Sequence, residues 1–469
     1  MSREAELGKK TAIITIGRIS TQFVTFLLLP LYTTVLSTEE YGAVDLITTL
    51  VQLFIPIFSL MIDQGVFRNL LSCKDDVDRK RTISSAFIIL SCMSALTIAI
   101  YFIVSIFTMN QYKSWLLLIL IATAYSNFFL QVARGVGKTL DYAFGSLICS
   151  SATILFNVLC IVSLNMGARG MLIATFLGNF ICCIFLFFKL RIFKYISIKL
   201  YSKEIALDEL RYSVPLVPNQ LSLWIMNSSD RLVVTFFMGT AANGILAISH
   251  KFPAIYMTFF SIFQLAWHEI GAVHYYDEDR DVFFSEMFDK VITLFSTMCM
   301  GIIAILPLVF DLFINKSYLE AYYNIPIYMV GFLFNIIIGL LGVVYVATKK
   351  TSEIAKTTII AAVINLVVNV VLIKFIGLYA AAISTFIGYA VTMIYRIVDT
   401  RKYLEIKYNT KSYLGLSVIM IVYCIIYYVN NKVLSIVCLI LFLPGACYFN
   451  RQILESFWIM AKEKLHAKE

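Results

Sequence analysis

GARGMLIATFLG (residues 167–178) and GLYAAAISTFIG (residues 377–388) carry the reading of this chain. Gly167, Ile173, Thr175, Phe176 and Gly178 return as Gly377, Ile383, Thr385, Phe386 and Gly388, each at an offset of 210. Upstream, Lys138-Thr139 and Asn157 return as Lys350-Thr351 and Asn369 at an offset of 212. Further back, Thr38-x-x-x-Gly42 returns as Thr240-x-x-x-Gly244 at an offset of 202. Three blocks in one order and at nearly one separation describe a unit that occurs twice.

The unit belongs in a membrane. The chain is 60% hydrophobic and 14% charged over 469 residues, which excludes a soluble domain. Its apolar runs approach the ~20 residues that cross a bilayer. Fourteen can be drawn, at 11–36, 41–70, 83–109, 113–137, 142–166, 168–190, 212–238, 242–270, 283–314, 317–346, 354–375, 378–398, 412–430 and 432–454. The expectation is an all-α polytopic membrane protein of about 14 transmembrane helices. The repeat covers six runs, an even number, so both copies enter from the same side. Two parallel six-helix bundles follow, an arrangement known among secondary transporters. The expected segments are a bundle at 1–190, a basic linker at 191–211, a second bundle at 212–400, and a terminal helix pair with its tail at 401–469. The prolines at 30, 56, 215, 218, 253, 307 and 326 fall in spans and are read as kinks.

Charge sets the orientation. On alternate loops, 29 of the 38 Lys and Arg fall on one set and five on the other. The positive-inside rule then places both termini in the cytoplasm. The net charge of +9 is accounted for by loops facing anionic headgroups and needs no nucleic acid. The linker KLRIFKYISIKLYSKEIALDELR (189–211) reads either as an amphipathic segment on the membrane surface or as a plain basic loop. A second basic connection runs from Arg396 to Lys411. Nine of ten cysteines lie in spans, so no structural disulfide is expected, and the four histidines lack metal-ligand spacing. No cofactor is expected.

Polar residues inside spans are costly, roughly 2.5–3.5 kcal/mol for a charge at a helix centre, and so point to function. Arg18, Thr21, Gln22 and Thr25 share one helical face, as do Asp45, Thr48, Thr49 and Gln52. Adding 202 carries the first stripe to Gln220 and Asn227, extended one turn by Arg231, and the second to His250 and Lys251. The candidate substrate-binding set is Arg18, Gln22, Thr25, Asp45, Thr49, Gln52, Gln220, Asn227, Arg231, His250 and Lys251. Arg18, Arg231 and Lys251 outnumber Asp45 and Asp230, which favours an anionic ligand. The competing reading is that Arg18–Asp45 and Asp230–Arg231 neutralise each other as packing pairs. Asp63 and Arg68 read as an interfacial pair. Asp230, Asn365, Asn369 and Thr385 bear oxygens that could serve Na⁺ or H⁺ coupling, or simply bond helix to helix. His268-Glu269 is a further proton-handling candidate.

The run Gly17-Arg18 … Leu28-x-Pro30-Leu31-Tyr32 … Leu36-Ser37-x-x-x-Tyr41-Gly42 … Asp45-Leu46 resembles the opening of bacterial polysaccharide repeat-unit flippases. These belong to the multidrug/oligosaccharidyl-lipid/polysaccharide exporter superfamily. The resemblance implies a multi-pass protein of the bacterial inner membrane that is not an enzyme. It also implies alternating access and, in several members, ion coupling. The implied substrate is an undecaprenyl-diphosphate-linked oligosaccharide, moved to the outer leaflet for O-antigen, capsule or another surface polysaccharide. Implied partners are that lipid-linked substrate, membrane lipids, and the glycosyltransferases and polymerase of the same pathway. Arg18 is the residue the resemblance assigns to the cavity. A multidrug exporter of the same superfamily and a membrane polysaccharide polymerase or ligase are the alternatives. The first calls for an acidic cavity and the second for a sizeable outer loop.

Overall fold

The computed structural model describes residues 26–107 and 112–455, with the backbone alone at Phe107 and Thr351, and every regular element among them is helical. Eleven of these helices are long and apolar enough to cross a membrane, or twelve if a bent pair counts as one span. Large apolar side chains stand outward from mid-helix, with Leu441 63%, Ile421 59% and Val363 55% exposed. Water would not tolerate so much apolar surface; lipid does. The chain is an all-α, multi-pass membrane protein. Contacts divide it into two units, 1–244 and 245–469.

Unit 1 begins with α1 (Leu29–Val35) and α2 (Thr38–Ser59). Ser37 starts α2 through a capping box: its hydroxyl accepts from the Glu40 amide at 3.2 Å, and the Glu40 carboxylate accepts from the Ser37 amide at 3.1 Å. The expected span 41–70 is broken. Leu60 and Met61 both take left-handed backbone (φ 50° and 54°), ending α2 and starting α3 (Ile62–Ser72). Non-glycine residues pay roughly 1–2 kcal/mol each for that conformation. Pro56, one turn earlier, weakens the helix where it breaks.

Then come α4 (Asp76–Phe107), α5 (Lys113–Gly135), α6 (Thr139–Val158, continued by a π turn) and α7 (Gly167–Lys189). The linker makes two 3-10 turns and then α8 (Lys203–Ser213). Ser84 and Ser85 of α4 pin it, accepting from the amides of Ser197 and Ser202, each at 3.1 Å. Finally α9 (Leu216–Met238) packs on α2, and α10 (Thr240–Ser249) begins. The core joins Val44, Val51 and Phe58 of α2 to Ile62 and Val66 of α3 and Phe128 of α5.

Unit 2 contains the rest of α10, then α11 (Lys251–His274), α12 (Arg280–Phe313), α13 (Glu320–Ala347), α14 (Thr351–Ile376), α15 (Tyr379–Thr400), α16 (Thr410–Val429) and α17 (Lys432–Phe449). α13 is the central post, buried along most of its length. The terminal helices knit in through Tyr322 and Tyr427, whose rings stack at 4.1 Å and whose hydroxyls each donate to the other's carbonyl, at 3.1 and 2.8 Å.

Two sequence expectations change. Arg396 is not in a connection: α15 runs on to Thr400, and Arg396 is buried, donating to Ile338 O at 3.0 Å and Thr357 Oγ1 at 2.8 Å. The prolines divide as well. Pro56, Pro307 and Pro326 lie inside helices, whereas Pro30, Pro215, Pro218 and Pro253 sit at or before a first helical turn. There the missing N–H costs little, so Pro30, Pro215 and Pro218 start helices, while Pro253 opens α11 at a 42° bend after α10, as the kink reading expects.

Candidate functional site

The repeated glycines come first, because they decide how closely the site helices approach. A Cβ on Gly42 would lie 1.8 Å from Thr240 O, and one on Gly244 would lie 2.0 Å from Thr38 O. The two Thr-x-x-x-Gly copies therefore pack on each other, backbone against backbone, within unit 1. Only a missing side chain on both helices permits that distance. The contact locks α10 to α2 and brings Asn243 beside the first turns of α2. Its Nδ2 donates to Gly42 O at 2.9 Å and lies 3.4 Å from Asp45 Oδ2.

One turn on, Asp45 meets α9. Arg231 Nε donates to Asp45 Oδ2 at 2.9 Å, with both side chains 16% exposed. The fold joins Asp45 to Arg231; a pairing of Asp45 with Arg18 lies outside the described residues. Asp230 is buried and accepts from the Arg231 amide at 2.9 Å. Along the same seam, Trp224 Nε1 donates to the carbonyl of buried Thr49 at 3.1 Å. Asn227 is exposed, with its Nδ2 donating to Leu223 O at 2.9 Å.

Next to this seam, unit 1 holds a cavity of about 370 Å³. Gln52 of α2 and Gln220 of α9 line it, as the stripes led one to expect. The break at Leu60–Met61 turns Asp63 and Gln64 onto its wall, and α5 adds Asn127 and Gln131. Gln64 Nε2 donates to Asp63 Oδ2 at 2.7 Å. The side-chain oxygen of Gln131 is buried without a partner among the described residues. Among the described residues the lining is amide-rich, with one carboxylate and no cation. Amides both donate and accept, which suits a ligand of many hydroxyls.

Asp63 thus corrects the expected pair with Arg68, which instead meets Asp208 at 3.6 Å and lies over the Tyr212 ring. Asn127 and Gln131 were legible in principle: four apart on an apolar helix, they share a face. They have no counterpart in the polar stripes at 18–25, 45–52, 220–231 and 250–251.

Of the other candidates, Arg18, Gln22 and Thr25 lie outside the described residues. In unit 2, His250 stands at the break between α10 and α11 with its ring 4.2 Å from that of Tyr328, and Lys251 opens α11. Asn365 Nδ2 donates to Thr385 Oγ1 at 3.0 Å. Asn369, one turn along, is fully buried with neither side-chain polar atom partnered among the described residues. No hydrogen bond joins His268 to Glu269.

Comparisons with known proteins agree on the fold. A multidrug transporter of the MOP superfamily in its inward-facing conformation superposes with a TM-score of 0.67 at 16% identity, over 83% of this chain and 97% of that one. The lipid II flippase MurJ, inward closed, gives 0.70 at 16% identity over 94% and 100%. A MOP transporter from Pyrococcus furiosus, noted for the reverse polarity of its binding pocket, gives 0.59 at 16% over 84% and 95%. No curated protein matches the chain in sequence. At such identities these structures establish the MOP transporter fold and leave the substrate open. A family model described as "Polysaccharide biosynthesis protein" matches residues 7–268, more than half of the sequence, and the chain belongs to that family.

Proposed function

We propose that the protein translocates undecaprenyl-diphosphate-linked oligosaccharide repeat units across the membrane by alternating access, for surface polysaccharide synthesis. The observation that carries this reading is the amide lining of the unit 1 cavity: Gln52, Gln64, Asn127, Gln131 and Gln220 around a buried, unpartnered oxygen. Sugar hydroxyls leaving water need donors and acceptors in their place, or each loses roughly 1–3 kcal/mol. Family membership supports the same reading. Arg18, Arg231 and Lys251 are the proposed diphosphate-facing cations, with Arg231 shared with Asp45. Asn365, Asn369 and Thr385 are the proposed coupling site for Na⁺ or H⁺. The halves act as six-helix bundles at 1–190 and 212–400 with the 401–469 pair appended.

Reconstitution tests it. Proteoliposomes loaded with a lipid-diphosphate oligosaccharide should move it to the far leaflet, and Gln52→Ala with Gln131→Ala should slow transport ~10-fold, as two lost hydrogen bonds would. Arg18→Ala should slow it as well. Transport by the double alanine variant at the wild-type rate would remove the cavity from the mechanism. A single observation favours the multidrug alternative: Asp63 is, among the described residues, the one carboxylate on the cavity wall and could meet a cation. Cationic-drug efflux that is lost in Asp63→Asn, with no movement of the lipid-linked sugar, would establish that alternative.

A further inference from the structure

At one rim of unit 1, lined by none of the residues of the amide cavity, three helix ends meet. α4 and α6 begin there and α7 ends there. They enclose a cavity of about 690 Å³ lined by Lys80, Lys138, Lys189, Arg191 and Lys194, with Asp76 and Asp141. Asp76 holds Lys80 at 2.8 Å. Lys138, Lys189, Arg191 and Lys194 form no ion pair among the described residues. Four cations thus face one cavity with Asp141 as the remaining carboxylate. Mutual repulsion makes that arrangement unfavourable unless an anion joins it.

The local backbone fits an anion too. Lys138 caps α6 without any side-chain hydrogen bond, so no side chain claims the first amides of that 20-residue helix. Arg191 holds left-handed backbone (φ 54°, ψ 45°), which turns the chain sharply after α7 and gathers Lys189, Arg191 and Lys194 around one opening.

The second copy of the repeat provides a contrast inside unit 2. Lys350, the counterpart of Lys138, lies 4.3 Å over the ring of Tyr403 and 3.2 Å from its hydroxyl. Nearby charges there pair among themselves, Lys402 with Asp399 at 2.7 Å and Lys356 with Glu353 at 3.7 Å. The same position is closed over in one copy and open in the other.

We propose that this rim cavity binds the phosphate headgroup of an anionic bilayer phospholipid. It sits where spans end, and basic pockets between helix ends on the basic face are suited to such headgroups. Phe188, 65% exposed, lines it, and its neighbour Leu140 is 60% exposed, so apolar surface continues from the cations toward the acyl region. A soluble phosphate would make no use of that surface. The site is independent of the transport reading and would tie unit 1 to one leaflet's lipid.

The test uses the purified full chain in neutral detergent, titrated with phosphatidylglycerol or with glycerol phosphate. Retained lipid is read by native mass spectrometry and the unfolding temperature by intrinsic fluorescence. Phosphatidylglycerol should bind the wild type and raise its unfolding temperature, while glycerol phosphate should do neither. Each charge removed should weaken binding ~5-fold, and the triple variant K138Q/R191Q/K194Q on the order of 100-fold. K199Q/K203Q/R211Q removes as much charge from the linker and should bind as wild type does. Raising salt from about 0.05 to 0.5 M should release the lipid from the wild type, a readout that needs no variant. The proposal fails if the linker triple weakens binding as much as the cavity triple, if the cavity triple retains lipid like wild type, or if glycerol phosphate stabilises as well as the lipid.

Discussion

Glu209 on α8 is fully buried, and neither carboxylate oxygen has a hydrogen-bond partner among the described residues. Its backbone carbonyl packs against α3 so closely that a Cβ on Gly65 would stand 3.0 Å from it. Burial, with Asp208 adding repulsion, raises its pKa from 4.5 to about 9. Arg68 is nearby but is engaged by Asp208, not by Glu209. The folded linker therefore holds a protonated acid at neutral pH. Below pH 4.5, folded and unfolded forms both carry the proton, and Glu209 is neutral to stability. Between 4.5 and about 9, the unfolded form ionises first, so undocking becomes progressively easier as pH rises. At 1.36 kcal/mol per unit, the three units from pH 5.5 to 8.5 amount to a ceiling of about 4 kcal/mol.

Hydrogen exchange at α8 amides reads this directly. After correction for intrinsic rates, protection across residues 203–213 should fall by up to ~10³ from pH 5.5 to 8.5 in the wild type. Glu209→Gln keeps the shape and removes the titration, so its protection should stay flat and exceed wild type at pH 8.5. If wild type and Glu209→Gln lose protection in parallel, something other than this carboxyl controls docking and the reasoning is refuted. Equal, pH-independent protection in both would refute it as well, by showing that Glu209 ionises in place at no cost.

Four further outcomes follow from packing. Gly42→Ala puts a methyl 1.8 Å from a backbone oxygen that cannot turn aside, so it should cost more than the usual ~1–3 kcal/mol of overpacking and abolish the monodisperse peak in size-exclusion chromatography. Gly415→Ala, in mid-helix with nothing within 4 Å, should be neutral or gain up to ~1 kcal/mol in the same assay. Removing one member of the Asp45–Arg231 pair (Arg231→Gln) strands a charge that is 16% exposed and should cost up to ~3–5 kcal/mol, whereas Asp45→Asn/Arg231→Gln should recover most of it; thermal unfolding of the full cycle measures the coupling. Arg396→Lys keeps the charge but cannot reach Ile338 O and Thr357 Oγ1 together, so it should unfold earlier by the loss of ~1–3 kcal/mol, and an unchanged unfolding temperature would deny the guanidinium its structural role.

Helix existence was legible because apolar length is a local property that the bilayer enforces. The two Thr-x-x-x-Gly copies were legible as a repeat, and their mutual contact explains why they needed to be alike: each supplies the gap that the other's backbone fills. What eluded the sequence depends on where helices stop. No composition signal separates Leu60–Met61 from the apolar run around it, yet that break turns Asp63 and Gln64 into the cavity. Arg396 read as part of a basic connection because Arg401 and Lys402 follow it, although a helix continued to Thr400 carries it inward. The bend at His250 has a clearer cue, since Pro253 three residues later marks a new first turn.

Charge counting treats every arginine as available, and here that assumption meets a limit. Arg231 lies against Asp45, and among the described residues no cation lines the cavity beside the seam. A sugar-diphosphate lipid presents two chemistries, hydroxyls and phosphates, and there is no physical need for one pocket to serve both. Amides suit hydroxyls because they donate and accept without demanding a counterion. Phosphates need cations, and the one described at the seam beside the amides, Arg231, is shared with Asp45, while the rim cluster is a separate site for bilayer phospholipid. The amide cavity and the rim phospholipid site are therefore separable by experiment: amide substitutions should change which glycan is moved and leave lipid retention intact, whereas rim substitutions should do the reverse. A variant of Gln131 that altered lipid retention, or one of Lys138 that altered glycan choice with lipid saturating, would show the two sites to be one.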